Sequence, residues 1–265
     1  MSVRPSSGAL IGLLLAMTSA LGGCVDNDAS LSIDRFLPPD PASLATGSCK
    51  FDPTVATNIT RGTYDVSIAV LTGSGYFANF EVKNNLLENA TQPIETQYYY
   101  VNSFDVELEV KGPIQTAIPA SARNFNYQSG TIRLAPAGKA AASSVAIKPE
   151  WVPALAALAG VDMPGSIIMH VRPVSTRGEN QVVGAFATFP IDVCFGCLSG
   201  GGLTSSGSFP PCPSLRASPS PGNACNVAQD LPIDCCNPTD PKSPNPPATY
   251  SPKAAVCGAD AKPKA

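Results

Sequence analysis

Alternation of apolar and polar residues with a period of two runs through the middle of this chain. It is cleanest in FDVELEVK, residues 104–111, where Phe104, Val106, Leu108 and Val110 share one face. Asp105, Glu107, Glu109 and Lys111 share the other, which predicts a half-buried antiparallel strand. YDVSIAVL, residues 64–71, puts Tyr64, Val66, Ile68 and Val70 on one face and predicts a second strand. Further strands are predicted over 76–82, 96–102, 123–127, 131–134, 144–148, 166–174 and 181–194. STRGENQ, residues 175–181, is a hairpin-like connection with Gly178 in the turn. One segment has helical spacing instead: in PEWVPALAALAG, residues 149–160, Trp151, Leu155 and Leu158 form an apolar stripe.

Many short strands within 49–197 predict an all-β, antiparallel β-sandwich with one short helix. The pattern resembles immunoglobulin-like and fibronectin-like sandwiches, although the immunoglobulin Cys…Trp…Cys spacing is missing. Residues 25–48 show no sustained period and contain three prolines. With Cys24 they read as a flexible tether over 24–48, with a reach of about 25–30 Å as a coil. Residues 198–265 hold thirteen of the 27 prolines and five cysteines, but Phe209 and Tyr250 are their only aromatics. Such a segment buries no conventional core. It is expected to be a partly disordered extension that either wraps the sandwich through disulfides or hangs loosely from it.

The N-terminus is an address. In residues 1–24, Arg4 precedes an apolar run from Ala9 to Leu21, too short to span a bilayer and laid out as a signal peptide. Leu21-Gly22-Gly23-Cys24 resembles the lipobox of bacterial envelope lipoproteins. The resemblance implies removal of residues 1–23 and lipid attachment at Cys24, with several acyl chains giving stable anchoring. Val25 follows the cysteine where Asp would signal retention, which resembles Gram-negative lipoproteins sent to the outer membrane. The alternative is ordinary secretory cleavage after Ala20. Cysteine parity favours lipidation: nine cysteines less Cys24 leave Cys49, Cys194, Cys197, Cys212, Cys225, Cys235, Cys236 and Cys257, an even set for an oxidising compartment.

Charge and chemistry narrow the function. Charged residues are sparse at 14%, the net charge is −3, and no basic stripe suits nucleic acid. Gly73-x-Gly75-x-x-Ala78 with Glu95 downstream fits a dinucleotide fingerprint in letters only. The residues that follow it alternate like a strand, so a glycine-rich hairpin turn is the better reading. His170 is the sole histidine, and no local acid pair makes it a general base. The Asp105, Glu107 and Glu109 row could gather a cation, but it also describes the wet face of an amphipathic strand. No Gly-x-Ser-x-Gly elbow is present.

DVCFGCLSGGG, residues 192–202, raises a redox couple, a metal site or a staple at Cys194 and Cys197. The glycines that follow form no helix to lower a thiol pKa, and no second Cys-x-x-Cys completes a zinc ribbon. On a straight strand the two Cα atoms would lie about 10 Å apart, beyond disulfide reach. Either the chain turns sharply at Gly196 or each cysteine pairs elsewhere. The second is the expectation, with Cys49 bridged to one of the pair and the other tying down the tail. The function expected is a non-enzymatic binding or scaffolding module, lipid-anchored at the outer membrane, without cofactor or metal. Its partner would be an envelope protein or a glycan. The alternative is a thiol–disulfide oxidoreductase or metal-binding protein that uses Cys194 and Cys197.

Overall fold

The computed structural model describes residues 30–40, 49–87, 97–158, 165–200, 222–223, 225–226 and 228–234. In chain order the elements are β1 (Leu31–Phe36), β2 (Gly62–Asp65), α1 (Val66–Thr72), β3 (Tyr76–Asn84), β4 (Tyr99–Lys111), β5 (Asn124–Leu134) and β6 (Lys139–Ile147). Then follow α2 (Val152–Ala156), β7 (Gly165–Arg177), β8 (Asn180–Val183), β9 (Ala187–Cys194), β10 (Ser199–Gly200) and β11 (Ile233–Asp234).

The chain is mostly β, in two main sheets. One has the order β1-β3-β6; the other runs β2-β9-β7-β4-β5, with β8 paired to the end of β7. Pairing is antiparallel except where β2 lies parallel to β9 and where β10 pairs with β11. The sheets pack through their apolar faces. Phe80 of β3 meets Phe104 of β4 edge-on at 5.0 Å, and Phe36 of β1 stacks on Phe189 of β9 at 4.3 Å. Each of these buried rings contributes roughly 1.5–3 kcal/mol by burial, and each ring pair about 0.5–1.5 kcal/mol more.

Period-two reasoning works in β4, where Phe104, Val106, Leu108 and Val110 are buried and Glu107, Glu109 and Lys111 are exposed. STRGENQ forms the β7–β8 hairpin, with Arg177 opposite Asn180 and Gly178 at φ 60°. The two strands expected over 96–102 and 104–111 are one. The register slips between Val101 and Ser103, so Val101 and Phe104 both point inward although three residues apart. An irregularity of this kind resets the alternation without ending the strand. β5 likewise joins the separate strands expected over 123–127 and 131–134.

Two segments differ more sharply. YDVSIAVL is a strand only as far as Asp65, and the described residues contain two α-helices where one was expected. Asp65 caps α1 by accepting the Ser67 N–H at 3.0 Å. Gly73, at φ 65°, ends it by donating its N–H to the Ala69 carbonyl at 2.7 Å. Val66, Ile68 and Ala69 are buried, while Val70 is 50% exposed where alternation would have turned it inward. A short apolar run fits both periods, and here the caps decide. The stretch assigned to the tether also supplies β1, with Leu31 fully buried against the core. Its pairing with β3 shifts between Ile33 and Arg35, which hides the alternation.

The glycine fingerprint is neither a hairpin turn nor a phosphate cradle. It follows a helix and precedes a strand, the reverse of the strand–turn–helix order that cofactor binding requires. Gly73 stops α1, and Gly75 lets the backbone pass the Ile147 carbonyl, with which a Cβ would collide. Ala78 is buried in β3. Glu95 lies outside the described residues.

Candidate functional site

Parallel pairing sets Tyr64 opposite Val193 and Asp65 opposite Cys194, so β2 and β9 end side by side. Beyond Cys194 the chain turns through Phe195 and Gly196, with Gly196 at φ 71°. The turn brings Cys197 to 5.9 Å from Cys194, Cα to Cα, and the two are bridged. Cys49 is bridged to Cys225, 176 residues away. The expected bridge from Cys49 to this pair is therefore corrected. The left-handed glycine supplies the sharp turn that a straight strand excludes.

Asp65 holds that turn. The residue is fully buried, and its Oδ1 accepts the N–H of Ser67 at 3.0 Å and of Gly196 at 2.9 Å. Its Oδ2 accepts the N–H of Leu198 at 2.9 Å. One carboxylate thus caps α1 and clasps both ends of the cysteine loop's exit. Of roughly four lone-pair sites on a carboxylate, three are occupied. The Cys194 sulfur lies 3.4 Å from the Tyr64 carbonyl oxygen; Cys194 is half-buried and Cys197 exposed. The donor atoms of Asp65, Cys194 and Cys197 all fall within 4.8 Å of one another. Bridged sulfurs carry no thiolate charge, so in this state the cluster is not a metal ligand set.

Part of the C-terminal extension packs beside this corner. The Ala228 carbonyl accepts the Asp65 N–H at 2.9 Å, and the Asp230 N–H donates to the Thr63 carbonyl at 2.9 Å. Thr63 N–H returns a bond to Asp230 Oδ1 at 3.0 Å, and the Tyr76 hydroxyl donates to the same oxygen at 2.8 Å. The Gln229 amide copies a strand neighbour, accepting the Phe77 N–H at 3.1 Å and donating to the Phe77 carbonyl at 3.0 Å. Ser74 Oγ donates to Asn226 Oδ1 at 3.0 Å. Cys225 and these three polar residues make a strap across β2 and the start of β3. Of the two alternatives for the extension, this part wraps the sandwich through a disulfide, but its polar contacts were not foreseen, because an aperiodic polar segment gives no sign of which backbone groups it will satisfy.

Burial dominates the strap's acid–base behaviour. It raises the pKa of Tyr76 and Tyr64 above the usual phenol value, with Asp230 and Asp65 adding to the rise, so both hydroxyls remain donors. Burial also raises the Asp230 carboxyl, against the opposing bonds from Thr63, Tyr76 and Gln229. The folded chain then binds this proton more tightly than the unfolded one. Asp230 favours folding below pH of about 4, and that contribution fades as pH rises through its elevated folded value. Asp52, lowered by its bonds from Thr54, acts in the opposite direction. We expect the stability of the native chain relative to Asp230→Asn to fall as pH increases from 4 to 7, measured by urea unfolding. A constant difference, or one growing with pH, would contradict the burial argument.

Other residues singled out by sequence are accounted for elsewhere. His170 lies on the outer face of the larger sheet, opposite Glu107 and 3.1 Å from Thr188 Oγ1 through Nδ1. Asp105 pairs with Arg172 at 3.2 Å and accepts from Asn126, while Glu109 pairs with Lys111, so the acidic row is partly neutralised by its neighbours. Glu81, buried on β3, is clamped by Arg35 at 2.7 Å and Lys139 at 2.6 Å, a cluster that alternation alone did not reveal. Cys24, Cys212, Cys235, Cys236 and Cys257 lie outside the described residues.

No protein-family model matches the chain, and the comparison with curated proteins gave no match. Among solved structures the chain is similar to the X-ray structure of Northeast Structural Genomics Consortium target SoR45, at 10% identity and a TM-score of 0.28. That match covers 63% of this chain and 88% of the other.

Proposed function

We propose that the chain is a lipid-anchored bacterial envelope protein, held at the outer membrane through Cys24, that works as a non-enzymatic binding or scaffolding module. The two packed sheets support a sandwich of immunoglobulin-like or fibronectin-like type. The observation that carries the reading is the Cys49–Cys225 bridge, which closes a separation of 176 residues. A covalent tie of that length belongs to an oxidising compartment, the one to which the signal peptide and lipobox direct the chain. The partner is an envelope protein or a glycan; a net charge of −3 and a sequence without a basic stripe do not favour nucleic acid.

The test is membrane fractionation of the native chain beside Cys24→Ser, with labelling by a fatty-acid probe. We expect the native chain to take up label and sediment with membranes, and the variant to appear unlabelled in the soluble fraction. If Cys24→Ser sediments as fully as the native chain after a carbonate wash, the anchor is elsewhere.

A further inference from the structure

Cys194 and Cys197 form a poor staple, and that suggests another use. Residues three apart are already near one another in the unfolded chain, so bridging them removes little loop entropy. The long tie between Cys49 and Cys225 carries that role. The turn also has ties besides the bridge. Asp65 fastens the N–H groups of Gly196 and Leu198 from outside the loop, and Gly196 already takes the left-handed conformation of the turn. The sulfurs differ in access, with Cys197 exposed and Cys194 half-buried. The inner one has an acceptor for a thiol proton in the Tyr64 carbonyl, 3.4 Å away.

We propose that Cys194–Cys197 is a reversible exchange site for an external dithiol, entered at Cys197 and positioned in both redox states by Asp65. A thiolate of the dithiol attacks the Cys197 sulfur, and the Cys194–Cys197 bond breaks. Cys194 leaves as a thiolate, takes a proton from solvent, and turns its S–H toward the Tyr64 carbonyl. The second thiol of the reagent, deprotonated, then attacks the reagent sulfur of the mixed disulfide and releases Cys197 as a thiolate, which is protonated in turn. The protein gains two electrons and two protons, and the dithiol, losing both, becomes a disulfide. This goes beyond the envelope reading and does not depend on Cys24, so either can fail without the other.

The test is graded reduction of the folded, full chain with dithiothreitol, followed by alkylation, peptide mapping and circular dichroism. Cys194 and Cys197 should be alkylated at reductant levels at least tenfold below those that open Cys49–Cys225. The spectrum should not change, and the pair should bridge again when reductant is removed. Opening only together with Cys49–Cys225, or only on unfolding, overturns the proposal. A parallel titration with reduced thioredoxin separates a protein dithiol from a small one as the source, and reduction by either supports exchange. Entry is read with oxidised glutathione: Cys197 in Cys194→Ser should take up glutathione at least tenfold faster than Cys194 in Cys197→Ser. Equal or reversed rates overturn the assignment of Cys197. In Asp65→Asn, rebridging should slow several-fold at an unchanged spectrum, and rebridging at the native rate overturns the positioning role.

Discussion

Replacing Cys49 and Cys225 together with alanine should lower the stability of the chain by about 3–5 kcal/mol, against about 2 kcal/mol or less for Cys194 and Cys197. The contrast follows from separation alone, 176 residues against 3. In the chain-entropy picture the cost of closing a loop grows with the logarithm of its length, and a bridge removes that cost from folding. The long bridge also seats the strap, because Cys225 adjoins Asn226, and Gln229 and Asp230 follow closely. Without it, ordering the strap must be driven by hydrogen bonds worth about 0.5–1.5 kcal/mol each. Urea unfolding of both double variants under non-reducing conditions measures the difference. Equal losses would mean that the strap's polar contacts, rather than the bridge, hold it in place.

The β4 face was legible because a regular strand half in water leaves its mark on every second residue, as Phe104 to Lys111 does. The β7–β8 hairpin was legible for a related reason: a tight turn needs a residue at positive φ, and Gly178 provides it. The features that escaped share a different character. Leu31 and Phe36 are both buried, five positions apart, because a register shift lies between them, and no fixed period finds such a strand. In α1 the apolar run suited either period, and the deciding signals were single residues at its ends, Asp65 and Gly73. Asp65 itself looked like one more polar residue in an alternating stretch. Its importance comes from the parallel β2–β9 pairing, which joins parts of the chain some 130 residues apart and which local pattern does not encode.

The same pairing explains the corrected disulfides. Judging Cys194 and Cys197 as an extension of β9 made them too distant to bridge. The strand ends at Cys194, however, and Asp65 gathers the next backbone amides around its carboxylate. Several ties converge on this corner: the cap of α1, the turn after β9 and, through the Asp65 N–H and the Ala228 carbonyl, the strap. This corner therefore holds both the turn after β9 and the strap to the rigid sheets, as a binding module of the kind proposed above would require of the segments that meet its partner.

Asp65→Ala should therefore cost about 3–5 kcal/mol, far more than a single surface carboxylate would. Removing the carboxylate leaves the N–H groups of Ser67, Gly196 and Leu198 without their acceptor. Each charge-assisted bond of this kind contributes about 1.5–3 kcal/mol, and a buried donor left unpaired incurs a desolvation cost. Asp65→Asn separates acceptor geometry from charge. Its side-chain oxygen can still receive Ser67 and Gly196, but its amide faces the N–H of Leu198, donor against donor. The asparagine variant should lose roughly half as much as alanine, with the Leu198 amide most affected. Urea unfolding gives the totals, and hydrogen exchange gives the distribution: in Asp65→Asn the Leu198 amide should exchange faster than those of Ser67 and Gly196. If the Gly196 and Leu198 amides keep native protection in Asp65→Ala while Ser67 loses its own, the turn is held by the sulfur bridge after all, and Asp65 is only a helix cap.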